Sequence, residues 1–535
     1  MKGSIGVAVV TAGPGLTNTI TALKNAQMAE SSVLVISGAA PGLTKGRGAL
    51  QDIDQRSLVQ SVCKYFGSAT TIRDIPVIME KAISTAISGN PGPVFIEIPI
   101  DLLYPFENVS EQLKLPKNPK GCISRIVKFY MESYLHYVFA GAFDCLAKEF
   151  KPIKKYFPTP SNRQITTSHT LVMESKRPLL VLGSQAIHRP EVLEETIASV
   201  KKLGIPVFTS GMSRGILGKQ DPLLFRHSRK TALKEADLII LAGVVCDFRL
   251  DYGRALNSKA KIIAVNRSKE NLKLNKGTFW NAYASIQSDV SEFLIELAKR
   301  DFEQKKDYKS WLQNLRKHED DRNVEIRNMA NHPTNVHNNP MKILLDIDEK
   351  GIEEDDIIVV DGGDFVGTAS YILRPRSPLS WLDPGSYGTL GVGAGFALGA
   401  KLCRPKANIW LIYGDGSCAY SIAEWDTMKR HGIPAIGVIG NDACWSQIAR
   451  DQVKILGSNV ACQLAYTPYH KIGAYYASVI ENKDEIKGAF LLSKENLESL
   501  PEILKECKSL SRKNIPSIIN CLIGKTDFRE GSISC

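Results

Sequence analysis

Continuous apolar runs of strand length recur along the chain, and most end in a glycine-rich turn followed by room for a helix. In the first fifth these are Ile5-Gly-Val-Ala-Val-Val10, Val33-Leu-Val-Ile-Ser37 and Val94-Phe-Ile-Glu-Ile98. A middle set comprises Pro178-Leu-Leu-Val-Leu-Gly183, Ile205 to Gly211, Leu238-Ile-Ile-Leu-Ala-Gly243 and Lys261-Ile-Ile-Ala-Val265. A last set comprises Ile357-Ile-Val-Val360, Leu411-Ile-Tyr413 and Ile436-Gly-Val-Ile439. Runs without alternation suit strands covered on both faces, as in parallel sheets with helical crossovers. The pattern predicts an α/β chain of three doubly wound parallel-sheet domains, over 1–106, 176–300 and 341–535, the first incomplete. Residues 107–175 read as an insertion and linker, and 301–340 as a charged connector.

The insertion breaks the pattern. Ile126, Val127, Tyr130, Met131, Tyr134, Leu135 and Val138 recur at helical spacing, and Phe129, Tyr137 and Phe139 widen the stripe. Two readings stay open: a helix packed on its own domain, or one in a membrane interface with Arg125 and Lys128 flanking it, a peripheral contact. Residues 148–175 are polar and proline-containing, and read as linker.

Composition narrows the classes. Hydrophobic residues make up 44% and charged residues 23% of 535, as in an ordinary globular protein. The net charge of +11 is spread along the chain, so no nucleic-acid partner is expected. Eleven cysteines without a C-x-x-C pair suggest free thiols. No signal sequence or membrane anchor is evident in the chain as given.

Candidate chemistry concentrates in Leu411-Ile-Tyr-Gly414-Asp415-Gly416-Ser417 and Ile436-Gly-Val-Ile-Gly-Asn441-Asp442-Ala-Cys444-Trp445. Each run delivers an oxygen ligand at the carboxyl end of a strand, where α/β folds bind ligands. These ligands are Asp415 and either Asn441 or Asp442. The amides of Gly416 and Ser417 are placed to hold a phosphate. Hard oxygen ligands beside a phosphate imply Mg2+. The stretch reads as a Mg2+–diphosphate anchor.

That spacing resembles the signature of the thiamine diphosphate-dependent enzymes of the acetolactate synthase and pyruvate oxidase superfamily. The resemblance implies metal ligands among Asp415, Asn441, Asp442 and the main-chain carbonyl of Cys444. It also implies cofactor contacts at Gly363, Asp364, Gly414, Gly416, Ser417 and Trp445. Leu390, within Gly388-Thr-Leu-Gly-Val-Gly393, matches the family's apolar wedge beneath a bent cofactor. Thr11-Ala-Gly-Pro-Gly-Leu-Thr-Asn18 matches its loop near the cofactor, and Thr17 or Asn18 can cap the next helix. Gly46-Arg-Gly-Ala-Leu-Gln51 resembles the following loop, which makes Gln51 the candidate catalytic residue. By the same resemblance, residues 1–106 are a partial pyrimidine-binding domain, 176–300 a Rossmann-like central domain and 341–535 the diphosphate-binding domain. The family's activating glutamate would fall upstream of Met1, and Glu30 does not replace it. The chain as given is therefore expected to be incomplete or inactive.

No G-x-G-x-x-G occurs in the middle domain, so nicotinamide is disfavoured. Gly243 to Arg249 and Val265-Asn-Arg267 are candidates for holding a nucleotide, from CoA or a flavin, although FAD is not expected. Trp445 and Gln447 are placed to face substrate, Leu456 to Tyr469 to form a lid, and His470 to lie at the surface.

Val-Asp-Gly-Gly-Asp-Phe-Val-Gly, Leu-Asp-Pro-Gly and Leu-Gly-Ser-Asn-Val-Ala-Cys are similar to the animal acetolactate synthase-like, or 2-hydroxyacyl-CoA lyase, branch. That resemblance implies cleavage of a 2-hydroxy fatty acyl-CoA to formyl-CoA and a shortened aldehyde, in fatty acid alpha-oxidation. It further implies the endoplasmic reticulum membrane and a homodimer or homotetramer. Two alternatives remain: an acetolactate-type carboligase, and a scaffold that binds cofactor without turnover.

Overall fold

The structure is a computed structural model, and it describes residues 3–113, 121–142, 153–303, 307–477 and 487–530. It divides into two compact units, residues 4–157 and residues 158–535 with 1–3. Among the described residues there are three sheets, and every strand pairing within them is parallel.

The first unit holds β1 (Gly6–Val10), β2 (Val33–Ala39), β3 (Phe66–Ser68) and β4 (Val94–Pro99), in the order β1-β2-β4-β3. Every residue of β4 is buried, including Glu97. Its carboxylate accepts from Lys45 Nζ (2.6 Å), Gln55 Nε2 (3.0 Å) and Ser68 Oγ (2.8 Å). Burial pushes its pKa up, but Lys45, Gln55 and Ser68 outweigh that and hold it below the usual range. The apolar pattern gave Glu97 no role, although it is the one charge inside that run.

One expectation fails here. Neither Thr17 nor Asn18 caps the next helix, Ile20–Met28. Its N-cap is Thr19, whose hydroxyl instead donates to Leu16 O (2.7 Å). The insertion helix spans Cys122–Phe139 and packs Leu135 and Val138 into the core of its own unit, while Tyr134 Oη donates to Asp101 Oδ2 (3.0 Å). Its other face leaves Ile126, Phe129, Tyr130 and Tyr137 exposed.

In the second unit β5 (Pro178–Leu182), β6 (Val207–Thr209), β7 (Leu224–Phe225), β8 (Leu238–Ala242), β9 (Lys261–Asn266) and β10 (Ala284–Gln287) form a sheet in the order β10-β9-β8-β5-β6-β7. Residues 162–174, expected as linker, are a helix that packs Ile165, Leu171 and Val172 against it. The overlooked signal was Ser161-x-x-Gln164, a capping box with both reciprocal bonds present.

Arg267, a candidate nucleotide contact, is engaged elsewhere. Its guanidinium is fully buried against Asp289 Oδ2, with Nε at 2.8 Å and Nη2 at 2.5 Å. Arg249 likewise closes on Asp247, at 2.6 Å. Asp289→Ala leaves the Arg267 charge buried without this partner. A loss of about 3–5 kcal/mol is expected in urea unfolding.

The third sheet contains β11 (Ile357–Val360), β12 (Trp381–Leu382), β13 (Ile409–Gly414), β14 (Ile436–Asn441), β15 (Ala489–Leu492) and β16 (Ser517–Leu522), in the order β12-β11-β13-β14-β16-β15. Residues of β11, β13, β14 and β16 are buried almost throughout, between helices packed on both faces. Because β11, β13 and β14 are neighbours, their carboxyl ends bring Asp361, Asp415 and Asp442 to one rim.

Candidate active site

Side chains alternate across a strand, so two adjacent residues at its end point to opposite sides. Asn441 and Asp442 divide in this way. Asn441 is fully buried, donating from Nδ2 to Thr467 O (3.1 Å) and Asn520 Oδ1 (3.2 Å), while its Oδ1 accepts from Ala443 N (3.3 Å). Asp442, on the other side by that alternation, is near enough for its charge to raise the Asp415 carboxyl. Asp442 Oδ2 accepts from Ser446 Oγ. The two open alternatives therefore have different surroundings: Asn441 braces the strand end from within, and Asp442 stands opposite Asp415.

Asp415 is 3% exposed, and accepts from Gly416 N (2.8 Å) and Cys444 N (3.2 Å). Burial first, and then the Asp442 charge, push it up to about 7. Burial also raises Asp442, against the help of Ser446 and Lys525. Two facing carboxylates held above their usual range form a site that a cation would relieve. Among the described residues no group of three or more His, Cys, Asp or Glu side chains could hold a metal ion. Two carboxylates suit Mg2+, which takes few protein ligands and completes its shell with phosphate and water.

The floor of the site is bare backbone. A Cβ on Gly416 would lie 2.3 Å from ring atoms of Trp445, so the indole rests on that glycine. A Cβ on Gly362 would fall 1.8 Å from Leu390 Cδ2, which seats Leu390 there. Gly362 O accepts from Gly414 N (3.1 Å) and Ser417 Oγ (2.9 Å), tying β11 to β13. The Ser417 hydroxyl also accepts from Gly414 N (3.1 Å), and the Gly416 amide is taken by Asp415. The Ser417 hydroxyl and the Gly416 amide therefore brace the strand ends; of the two amides expected to hold a phosphate, that of Gly416 is engaged by Asp415.

The remaining candidates are placed as follows. Gly363 lies against Gly414, its Cβ position 3.4 Å from Gly414 Cα. Asp364 pairs with Arg450. Cys444 is buried beside Cys462, and Trp445 N donates to Cys462 O (2.8 Å). His470, expected at the surface, is 7% exposed, with Nδ1 3.3 Å from Asn520 Nδ2; burial lowers its pKa. In the other unit Gln51 Oε1 accepts from Thr11 Oγ1 (3.3 Å), joining the two loops singled out there. Sequence reasoning missed Asp361, Thr467 and Asn520. Asp361 had a usable signal, since it ends β11 as Asp415 ends β13.

Comparison with known proteins bears on this geometry. The C-terminal thiamine pyrophosphate-binding domain of thiamine pyrophosphate enzymes matches residues 361–521. Their central domain matches 165–297, and their N-terminal thiamine pyrophosphate-binding domain matches 1–58. The chain is 50% identical over 554 residues to 2-hydroxyacyl-CoA lyase 2 of Xenopus laevis, covering 100% of this chain and 85% of that protein.

The chain belongs to the thiamine pyrophosphate enzyme family.

The human 2-hydroxyacyl-CoA lyase 2 is 46% identical over 534 residues, covering 100% of this chain and 82% of its own length. A probable acetolactate synthase of Mycobacterium bovis is 29% identical over 462 residues, covering 86% of this chain and 76% of that protein. Within the family this chain falls with the lyases: it is a thiamine diphosphate-dependent carbon–carbon lyase or transferase. The matched C-terminal domain contains the whole rim from Asp361 through Asp415 to Asp442.

Proposed function

We propose that the chain cleaves a 2-hydroxy fatty acyl-CoA to formyl-CoA and an aldehyde one carbon shorter, with thiamine diphosphate and Mg2+, as a step of fatty acid alpha-oxidation. The observation that carries this reading is the facing pair Asp415 and Asp442, in a chain whose whole length is similar to proteins named 2-hydroxyacyl-CoA lyase 2.

In this reading Asp415 and Asp442 hold Mg2+, with the Cys444 carbonyl as a third oxygen. Leu390 supports the cofactor from Gly362. Bound thiamine diphosphate supplies an electron sink for the carbon–carbon bond that breaks. The Trp445 indole covers the Gly416 backbone and keeps water from the metal side. The bond broken joins the hydroxyl-bearing carbon to the thioester carbon, so R–CH(OH)–CO–S–CoA becomes R–CHO and H–CO–S–CoA.

Incubation with thiamine diphosphate, Mg2+ and a 2-hydroxyacyl-CoA, with formyl-CoA measured by mass spectrometry, tests the proposal. Acetolactate from pyruvate without formyl-CoA would favour the carboligase reading, which the mycobacterial relative supports. Cofactor binding with neither product would favour the scaffold. Light scattering of the holoprotein tests the proposed homodimer or homotetramer.

We also place the protein at the endoplasmic reticulum membrane, in peripheral contact. No described helix is long and apolar enough to cross a membrane. What supports the contact is the second apolar face of helix Cys122–Phe139. Phe129→Ser with Tyr130→Ser should lower flotation with phosphatidylserine-containing vesicles several-fold, and unchanged flotation would remove the reading.

A further inference from the structure

Asp361 ends β11 and is 2% exposed. Its partners are backbone amides: Gly391 N donates to Oδ1 at 3.0 Å and Oδ2 at 3.1 Å, and Gly393 N donates to Oδ2 at 2.8 Å. Gly393 opens helix Gly393–Cys403, whose own N-cap residue, Val392, makes no side-chain bond, and Gly391 lies in the turn just before it. One orphan donor of this helix is thus met by an acid from a separate strand.

The fit is close. A Cβ on Gly393 would lie 2.9 Å from Asp361 Oδ2, and one on Gly391 would lie 2.7 Å from Tyr420 Cβ. Gly391 also has a φ of +84°, which disfavours any side chain. On the other side of the same turn, Leu390 rests on Gly362, the residue after Asp361. Two consecutive residues therefore hold one turn. The carboxylate grips its amides, and the bare backbone of the next residue receives its leucine. Burial pushes Asp361 up to about 6, partly offset by the Gly393, Gly391 and Gly362 amides. A helix cap alone does not require a buried carboxylate, because an exposed Ser or Asn serves. What a carboxylate adds is two oxygens, fixing two amides at once.

We propose that Asp361 is a positioning residue: by gripping the Gly391 and Gly393 amides it fixes the height of Leu390 over Gly362, and so sets how tightly this domain holds the ring portion of thiamine diphosphate. This rests on the cofactor reading above. Asparagine would turn an N–H2 group toward one of the two amides, freeing the turn on that side while leaving the Asp415–Asp442 rim in place.

The experiment is a double-mutant cycle read by calorimetry on the full chain with Mg2+, comparing thiamine diphosphate with inorganic pyrophosphate, which has no rings. Asp361→Asn is expected to weaken thiamine diphosphate about tenfold, the scale of one charged hydrogen bond, and to leave pyrophosphate unchanged. Combined with Leu390→Ala, it should weaken binding no further than Leu390→Ala alone. Hydrogen exchange at the Gly391 and Gly393 amides, without cofactor, should speed in Asp361→Asn. If Asp361→Asn fails to fold, Asp361→Glu takes its place: it keeps the charge, shifts the turn by one methylene, and should show the same ligand discrimination. Equal weakening of both ligands, additive effects, or unchanged exchange would overturn the proposal. Failure of the unmodified chain to bind either ligand would instead overturn the cofactor reading.

Discussion

Asp415→Asn should lose at least about 100-fold in affinity for thiamine diphosphate with Mg2+ in calorimetry, more than even second-shell changes at metal sites cost. The substitution keeps the volume and removes one charge from a rim where two carboxylates face each other. Without ligand, its melting temperature at pH 8 should not fall below that of the unmodified protein, because a like-charge repulsion has gone. Loss of binding without loss of stability separates a ligand from a structural residue. A substitution at Asn441 should behave oppositely. Asn441→Ala removes bonds to Thr467 and Asn520 in a fully buried place and should lower the melting temperature.

Binding should also depend steeply on pH. Asp415 is pushed up to about 7 in the protein without metal, by burial and by Asp442. A cation favours the charged carboxylate, so binding expels a proton wherever Asp415 holds one. Affinity should fall about tenfold for each unit below pH 7, and more steeply once Asp442 is protonated too. Calorimetry in buffers of different ionisation enthalpy counts the protons released; a count near zero at pH 6 would contradict this. Stability of the metal-free protein has the opposite sign. The folded carboxyl lies above its unfolded value, so its contribution is most favourable below about 4 and declines as pH rises through about 7. Mg2+ with thiamine diphosphate should restore what is lost.

Buried parallel strands were legible because both faces are covered, which leaves unbroken apolar runs such as Ile436 to Ile439. Others were not, although the exposed edge strand β1 was. β7 and β12 have two residues each, too few for any period, and Asn520 interrupts the run of β16. The rim was legible in part. A Gly-Asp-Gly at a strand end is local, but the choice between Asn441 and Asp442 depends on strand alternation and on where Thr467 and Asn520 lie. The Gly416 amide was read as a phosphate donor because sequence does not reveal internal acceptors, and the Asp415 carboxylate takes it. His470 read as surface because nothing in its local sequence names a buried partner. Only the tertiary fold brings Asn520 beside it.

Of the chain's six tryptophans, Trp280, Trp311, Trp381, Trp410 and Trp425 are buried, and Trp445 alone is half-buried, resting against Gly416. Five indoles therefore emit from buried surroundings, while the sixth sits beside the Asp415–Asp442 rim. The protein carries its own optical reporter: a change in the red edge of its fluorescence tracks occupancy of this one place, without any attached dye.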